Sequence, residues 1–329
     1  MIWYERYGWE SNPFELKPKP DVISGFEDIR SGLLEFIKSG DCCLLTGATG
    51  SGKTTLLKWL EKYENQDYVP IYINTSGMRD EEVNGMNIDK MIRERLNFFG
   101  KLMGKEKRIV MLIDEAQTLP PALGNAVKRN FEEHLIKAVV MASPTSDMKN
   151  LKGSLMEKVG KRKIRMRPLS ADEALGMIVK RVGYRNPFEH EGLDMIFNRS
   201  GFVPKVILEN CEMIAKSNNG KNIPGDFVKS YFAEDETRKH KLDFIEKLSP
   251  LQRKIVEILK TGNYRPKEMA QKLKKPTKTV TSQLAYLGLK SGVETMRRKG
   301  IESPVVEKIS DSLSVYKLAD DVKEILTKE

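Results

Sequence analysis

The stretch GATGSGKT, Gly47 to Thr54, satisfies G-x-x-x-x-G-K-[ST] at every fixed position. Small and hydroxyl residues at this spacing let a loop turn its own N–H groups inward around phosphates, and a following helix adds a favourable dipole. Such a loop predicts nucleotide contacts from Gly47, Ala48, Thr49, Gly50, Ser51, Gly52, Lys53, Thr54 and Thr55. Lys53 is placed to reach the β- and γ-phosphates, and the Thr54 hydroxyl to ligate Mg²⁺. Sixty residues on, RIVMLIDEAQ ends an apolar run in Asp114 and Glu115. An aspartate at such a strand end suits the shell of the magnesium ion. The neighbouring glutamate suits a general base that takes a proton from an attacking water. The two motifs together predict hydrolysis of ATP with Mg²⁺ as cofactor.

Both groups need strand ends to hold them. Residues 42–47, 68–74, 108–114, 138–143 and 163–167 read as short strands, with helical patterns at 87–103 and 123–137 between them. Alternation of this kind predicts an α/β fold with a parallel sheet. After Pro168 the pattern is helical only. Ser170 and Glu173 stand at capping-box spacing, and further helices are expected near 188–199, 203–217 and 224–234. The polar run 233–241 reads as a linker or an exposed helix end. The expected division is a nucleotide-binding part at 1–168, a helical lid at 169–243 and a third unit at 244–329.

The phosphate loop, its strand and helix, and the DE pair resemble the AAA+ ATPases over roughly residues 1–240. That resemblance implies a sensor residue ending the next strand, Ser143 or else Thr145. It implies a nucleotide-sensing cation in the lid at Lys205, where the family usually has an arginine in a G-x-P-R-like turn and this chain has GFVPK. It also implies a finger arginine that reaches a neighbour's ATP, and hence self-association. Arg162 matches that place, with Lys161 and Lys158 as alternatives; its basic neighbours fit a DNA or surface contact equally well. The segment WYERYGWESNPFELKPKPDVISGFEDI is similar to the N-terminal segment of two branches. One comprises the helper ATPases of transposition and secretion, the other the archaeal origin-recognition initiators. By that likeness Val22, Ile23 and Gly25 would cover the adenine. Trp3, Tyr7, Trp9 and Phe14 also have the character of an arm packed onto the core.

Near the C-terminus, residues 249–290 read as three short helices. The second and third are separated by the break KKPTK, as in a helix-turn-helix. Alternating residues after 290 suggest a hairpin, and helix-turn-helix plus hairpin resembles a winged helix. In such a domain the third helix enters the major groove. Thr277, Thr279, Thr281, Ser282 and Gln283 then meet base edges, while Lys275 and Lys278 meet phosphates. Arg297, Arg298 and Lys299 sit at the expected hairpin. Val280, Leu284 and Leu287 recur at helical spacing and suit a core. The window 261–300 holds ten basic and two acidic residues, a net +8. The stretch 158–167 holds six basic residues and no acidic one. Clustered charge of this kind points to an anionic partner, double-stranded DNA.

Over 329 residues, 56 Lys and Arg face 46 Asp and Glu. The excess alone also suits heat-adapted chains; its clustering carries the argument. Three cysteines and three histidines stand at no metal-ligand spacing. No apolar run is long enough to span a bilayer, and no secretory signal is legible. A cytoplasmic, nucleoid-associated protein is expected. Three roles fit these features. The first is an ATP-driven switch on DNA, resembling a replication initiator or mobile-element helper, with a helicase or recombinase client. The second is a nucleotide-gated transcription regulator. The third is a scaffold ATPase whose winged helix docks protein.

Overall fold

The computed structural model describes residues 2–63, 68–78, 86–103, 108–148, 151, 155–290, 294, 304–310 and 314–327. Two compact units divide the chain, Met1–Val228 and Lys229–Glu329.

In the first unit four apolar runs become β1 (Cys42–Thr46), β2 (Tyr68–Asn74), β3 (Arg108–Asp114) and β4 (Ile136–Ser143), and the charged segment KIR becomes β5 (Lys163–Arg165). They pair in parallel in the order β2-β3-β4-β1-β5. Helix α1 (Glu27–Ser39) precedes β1, and the crossovers supply α2 (Lys53–Tyr63), α3 (Ile88–Met103), α4 (Pro121–Glu132) and α5 (Leu155–Val159). A sheet covered on both faces needs strands apolar on both faces, and β3 is buried from Ile109 through Asp114. Cys42, Cys43 and Cys211 are buried and free of disulfides. Burial pushes the Cys42 thiol up to about 12, away from thiolate chemistry at neutral pH.

Two boundaries differ from expectation. The helix expected to run to 137 stops at Glu132 because His134 adopts a left-handed φ of 61°. Leu135 N then reaches back to Asn130 O at 2.9 Å, a closure that ends helices at such residues. Ile136 and Lys137 therefore open β4. The edge strand β5 stops at Arg165 with Lys163 and Arg165 exposed, charges that discourage further strand pairing.

Past Pro168 the chain forms α6 (Ala171–Val182), α7 (His190–Arg199), α8 (Pro204–Ser217) and α9 (Gly225–Glu246). The polar run 233–241 lies inside α9, supported by a Lys239–Asp235 pair at 2.7 Å one turn apart. It is helix interior, and the division between the units at Val228 falls within this helix. Ser170 caps α6 as expected, accepting from Glu173 N at 3.2 Å, while Glu173 Oε2 accepts from Ser170 N at 2.7 Å. The same carboxylate accepts from Arg167 Nη1 and Nη2 at 2.6 and 2.8 Å and from Phe26 N at 3.0 Å. Arg167 also holds Asp28 of α1 at 3.0 Å. One ion-pair network thus ties the end of the sheet to the first lid helix.

The Arg167 guanidinium and the two backbone donors hold Glu173 at about 2, below its ordinary 4.5. A carboxylate whose folded pKa is depressed adds stability above its unfolded pKa and loses it as pH falls toward the folded value. Because Arg167 is 40% exposed, we expect about 1–2 kcal/mol after allowing for screening. Denaturant titrations should show wild type losing that much more stability between pH 5 and pH 2 than Glu173→Gln. Equal losses in the two proteins would remove the network from the acid sensitivity.

The N-terminal arm packs on the lid through the aromatic residues expected there. Tyr7, Trp9 and Phe14 are buried. The Tyr7 hydroxyl donates to Ala215 O at 2.9 Å, Trp9 Nε1 to Arg185 O at 3.2 Å, and Phe14 stacks edge-on against Phe188. The arm continues as a strap: Arg181 donates to Pro13 O and Glu15 O, both at 3.0 Å, and Lys180 to Ile23 O at 2.8 Å.

The second unit contains α10 (Pro250–Lys260), α11 (Pro266–Leu273), α12 (Thr277–Leu287), the antiparallel pair β6 (Val306–Ser310) and β7 (Val315–Leu318), and α13 (Asp320–Thr327). Tyr264 bridges to Tyr316 beside the hairpin. Val280, Leu284 and Leu287 are fully buried with Ile255, Met269 and Val306 in one core. The final helix α13, which the alternating pattern after 290 does not announce, adds Val322 to that core. Among the described residues, no helix is long and apolar enough to cross a membrane.

Candidate functional site

The loop Gly47–Gly52 springs from the end of β1 and closes onto the N-terminus of α2, where Lys53 begins the helix. At Gly50 the backbone φ is +83°, and an added Cβ would lie 2.5 Å from Cβ of Lys205. Only glycine permits that approach of lid to loop. Lys205 N also donates to Gly50 O at 3.2 Å, so the lid residue matched to a nucleotide sensor rests on the phosphate loop itself. Its ammonium stands 3.6 Å from Glu209.

Lys53 is 5% exposed, and its ammonium donates to Gly47 O at 2.7 Å and Ala48 O at 3.2 Å. Burial pulls its pKa down, and the carboxylates of Glu115 and Asp114 oppose that pull. A cation held this way suits an anion that can replace the carbonyls. Asp114, at the end of β3, is 1% exposed. Its Oδ1 accepts from Glu115 N at 3.1 Å and its Oδ2 from the Tyr72 hydroxyl at 3.0 Å. Each oxygen keeps a second lone pair, so the carboxylate has donor capacity left for a hard cation. Burial first, then Asp114, pushes the Tyr72 phenol up, so it stays a donor. Lys58 Nζ lies 3.3 Å from the centre of the same ring. Tyr72 was not anticipated. Register supplies the signal, since Asn74 aligns with Asp114 and alternate residues of a strand share a face.

Lys53, Glu115 and Lys205 border one cavity of about 350 Å³, within the span of small-molecule sites; Asp114 and Tyr72 are not on its wall. Thr49, Gly50, Gly52, Lys53, Thr54, Thr55, Glu115 and Lys205 line its polar part; Val22, Ile23, Phe26, Leu169, Met177 and Leu208 line its apolar part. A triphosphate with a flat apolar base fits that division. Gly25 is not on the wall: its φ of +79° turns the chain where a Cβ would strike the Glu173 carboxylate at 2.7 Å. Glu115 reaches the cavity from a left-handed backbone, φ 53°, with Oε2 accepting from Gln117 Nε2 at 2.6 Å.

Ser143 ends β4 fully buried, aligned with Thr46 of β1, and its Oγ accepts from Thr145 N at 3.2 Å. Thr145, the alternative sensor, lines a second cavity of about 480 Å³ on the other flank of the loop, with Gly47, Ala48 and Ser51. Arg162 is not brought to this site. Its guanidinium pairs with Asp41 at 2.9 Å, before β1, at the end of the strand opposite the phosphate loop. Lys158 pairs with Glu132 at 2.8 Å, and Lys161 is exposed.

In the second unit, Lys275, Thr277, Lys278, Thr281 and Ser282 are exposed on and just before α12, while Thr279 and Gln283 are half-buried. Gln283 Oε1 is committed to Gln252 Nε2 of α10 at 2.8 Å. The left-handed Lys274, φ 53°, makes the turn between α11 and α12. Arg297, Arg298 and Lys299 lie outside the described residues.

Residues 39–175 match the family model of an AAA domain. None of the curated proteins matches the chain. Among solved structures, the Orc1 protein of Aeropyrum pernix in complex with DNA is similar over 98% of this chain and 98% of that one, at 15% identity and a TM-score of 0.50. Cdc6p from Pyrobaculum aerophilum is similar over 97% of each chain, at 16% identity and 0.53. Drosophila ORC bound to DNA is similar over 98% and 91%, at 14% identity and 0.52. At such identities the likeness is one of fold. Domain model and fold agree: residues 39–175 match an AAA domain, and the chain shares its fold with these AAA+ proteins.

Proposed function

We propose that this chain is an ATP-driven switch on double-stranded DNA, in which ATP binding and hydrolysis control assembly or the recruitment of a partner. The observation that carries the nucleotide half is the meeting of Lys53, Glu115 and Lys205 around one cavity that Ile23, Phe26, Met177 and Leu208 also line. Lys53 exchanges its loop carbonyls for the phosphates. Thr54 and Asp114 would hold magnesium, which when bound neutralises charge on the phosphates. Glu115 takes the proton of the attacking water. The base packs between the strap at Val22–Ile23 and the lid at Met177 and Leu208, and Lys205 carries the lid's charge to the loop. Because Arg162 faces away from its own loop, a finger role for it requires a neighbouring copy, and hydrolysis by a lone chain is slow.

The DNA half is supported by the exposed Lys275, Lys278 and hydroxyl residues of α12, by the local positive charge, and by likeness in fold to an Orc1 determined with DNA. On this reading the second unit is a winged helix. We expect duplex affinity to fall by about 10³ or more between 50 and 200 mM salt, as for six or more phosphate contacts. Lys278→Ala should lower the slope of log affinity against log salt by about one. Affinity measured with ATP, with ADP and without nucleotide should differ. A flat salt response would leave the scaffold reading. Steady affinity across nucleotide states would leave two independent activities.

A further inference from the structure

Glu115 has φ 53° and ψ 41°. That region is disfavoured for a residue with a Cβ and persists only where the surroundings hold it. Two threonines do so. Thr75 follows β2 directly, and Thr118 ends the short 3-10 turn Ala116–Thr118. Thr75 Oγ1 lies 2.7 Å from Glu115 O and 3.0 Å from Asp114 O. Thr118 Oγ1 lies 2.8 Å from Glu115 O and 2.9 Å from Thr75 O, and the two hydroxyls are 3.0 Å apart. Each hydroxyl carries one proton, so two protons serve three carbonyls and one another. Thr118 N adds a further bond to Glu115 O at 2.8 Å. The sheet does not need the hydroxyls, because Thr75 N already closes onto Asp114 O at 3.1 Å.

We propose that Thr75 and Thr118 are positioning residues: their paired hydroxyls pin the Glu115 carbonyl and keep its peptide in the left-handed turn that delivers the carboxylate to the cavity. This rests on the reading of Glu115 as the base. Nothing in the paired hydroxyls touches the phosphate loop, so the clamp acts on turnover and leaves affinity alone.

The test uses the full chain and three readouts: ATP turnover, affinity for a fluorescent ATP analogue, and melting temperature. Thr118 is exposed, so Thr118→Val removes the hydroxyl with little risk to folding. Its kcat should fall about 10- to 100-fold, the scale of a small misplacement of a reacting group. Analogue Kd and melting should be essentially unchanged, and Thr118→Ser should restore turnover. A nucleotide-free crystal structure of Thr118→Val should place Glu115 outside the left-handed region. Thr75→Val serves as the second variant. Combined with Thr118→Val it should cost no more than either alone, since the two hydroxyls act as one unit. Wild-type turnover in Thr118→Val, equal loss in the valine and serine variants, or additive losses would each overturn the clamp. Glu115→Gln, run in parallel, separates the two claims. If it hydrolyses ATP at the wild-type rate, the assignment of the base fails and the clamp falls with it. If it is inactive while both valine variants are fully active, only the clamp fails.

Discussion

Replacing Glu115 with glutamine is expected to leave ATP bound and to slow its hydrolysis by about 10²–10⁴. The substitution is close to isosteric. Glutamine keeps a carbonyl oxygen for Gln117 Nε2, which lies 2.6 Å from Glu115 Oε2, and the backbone keeps its bonds to Thr75 and Thr118. What is lost is the ability to accept a proton. Lys53, Thr54 and Lys205 are untouched, so the Kd for Mg·ATP should stay near the wild-type value. ATP-bound chains should then accumulate, and any ATP-dependent self-association should become persistent, visible as a larger species in light scattering. Stopped ADP release with retained analogue binding is the expected result. Turnover at the wild-type rate would show that another group activates the water.

The parts of this site legible in the sequence are those whose chemistry demands particular residue types at particular spacing. A loop that must turn sharply around phosphate can be made only with Gly50 and Gly52 near their places. A strand that ends at a metal site must finish in a carboxylate, as β3 does in Asp114. Strands were legible because a sheet covered on both faces requires unbroken apolar runs. Strand order was not, since each crossover helix tolerates several neighbours and only the packed sheet selects among them.

Contacts made by folding rather than by spacing were hidden. The Ser170–Glu173 box predicts a helix start and forms one. Its glutamate is also the partner of Arg167, Asp28's neighbour in the network, and of Phe26 N, which lies 147 residues away in the chain. A capping motif specifies only the local bond, and the longer partners exist only once α1 is docked. Tyr72 was hidden for the same reason: YVPIYIN reads as a strand whichever neighbour it pairs with. The end of α4 was hidden because His134 carries no glycine-like mark of a left-handed cap. The continuity of α9 was hidden because a charged run supports a helix or a linker equally until its i,i+4 partners are seen to meet.

Lys53→Ala is expected to abolish useful ATP binding while leaving the nucleotide-free fold almost as stable as before. The ammonium is buried and satisfied by two carbonyls of its own loop, so its removal trades two hydrogen bonds for relief from burying a charge. These terms oppose each other, and the net effect on folding is small. With phosphate present the balance changes. Truncating one partner of a buried, hydrogen-bonded charge pair costs about 2–5 kcal/mol, which is roughly 30-fold or more in Kd. The measurement is thermal unfolding with and without Mg·ATP. At a ligand concentration about 100 times its Kd, wild type should gain about 2.7 kcal/mol. The alanine variant should gain about 0.9 kcal/mol or less at the same concentration, and its nucleotide-free melting temperature should stay close to that of wild type. A variant that melts early without nucleotide would make Lys53 a structural residue. One that is stabilised by ATP as strongly as wild type would move the phosphates away from this loop, and the functions assigned to Asp114, Glu115 and Lys205 would move with them.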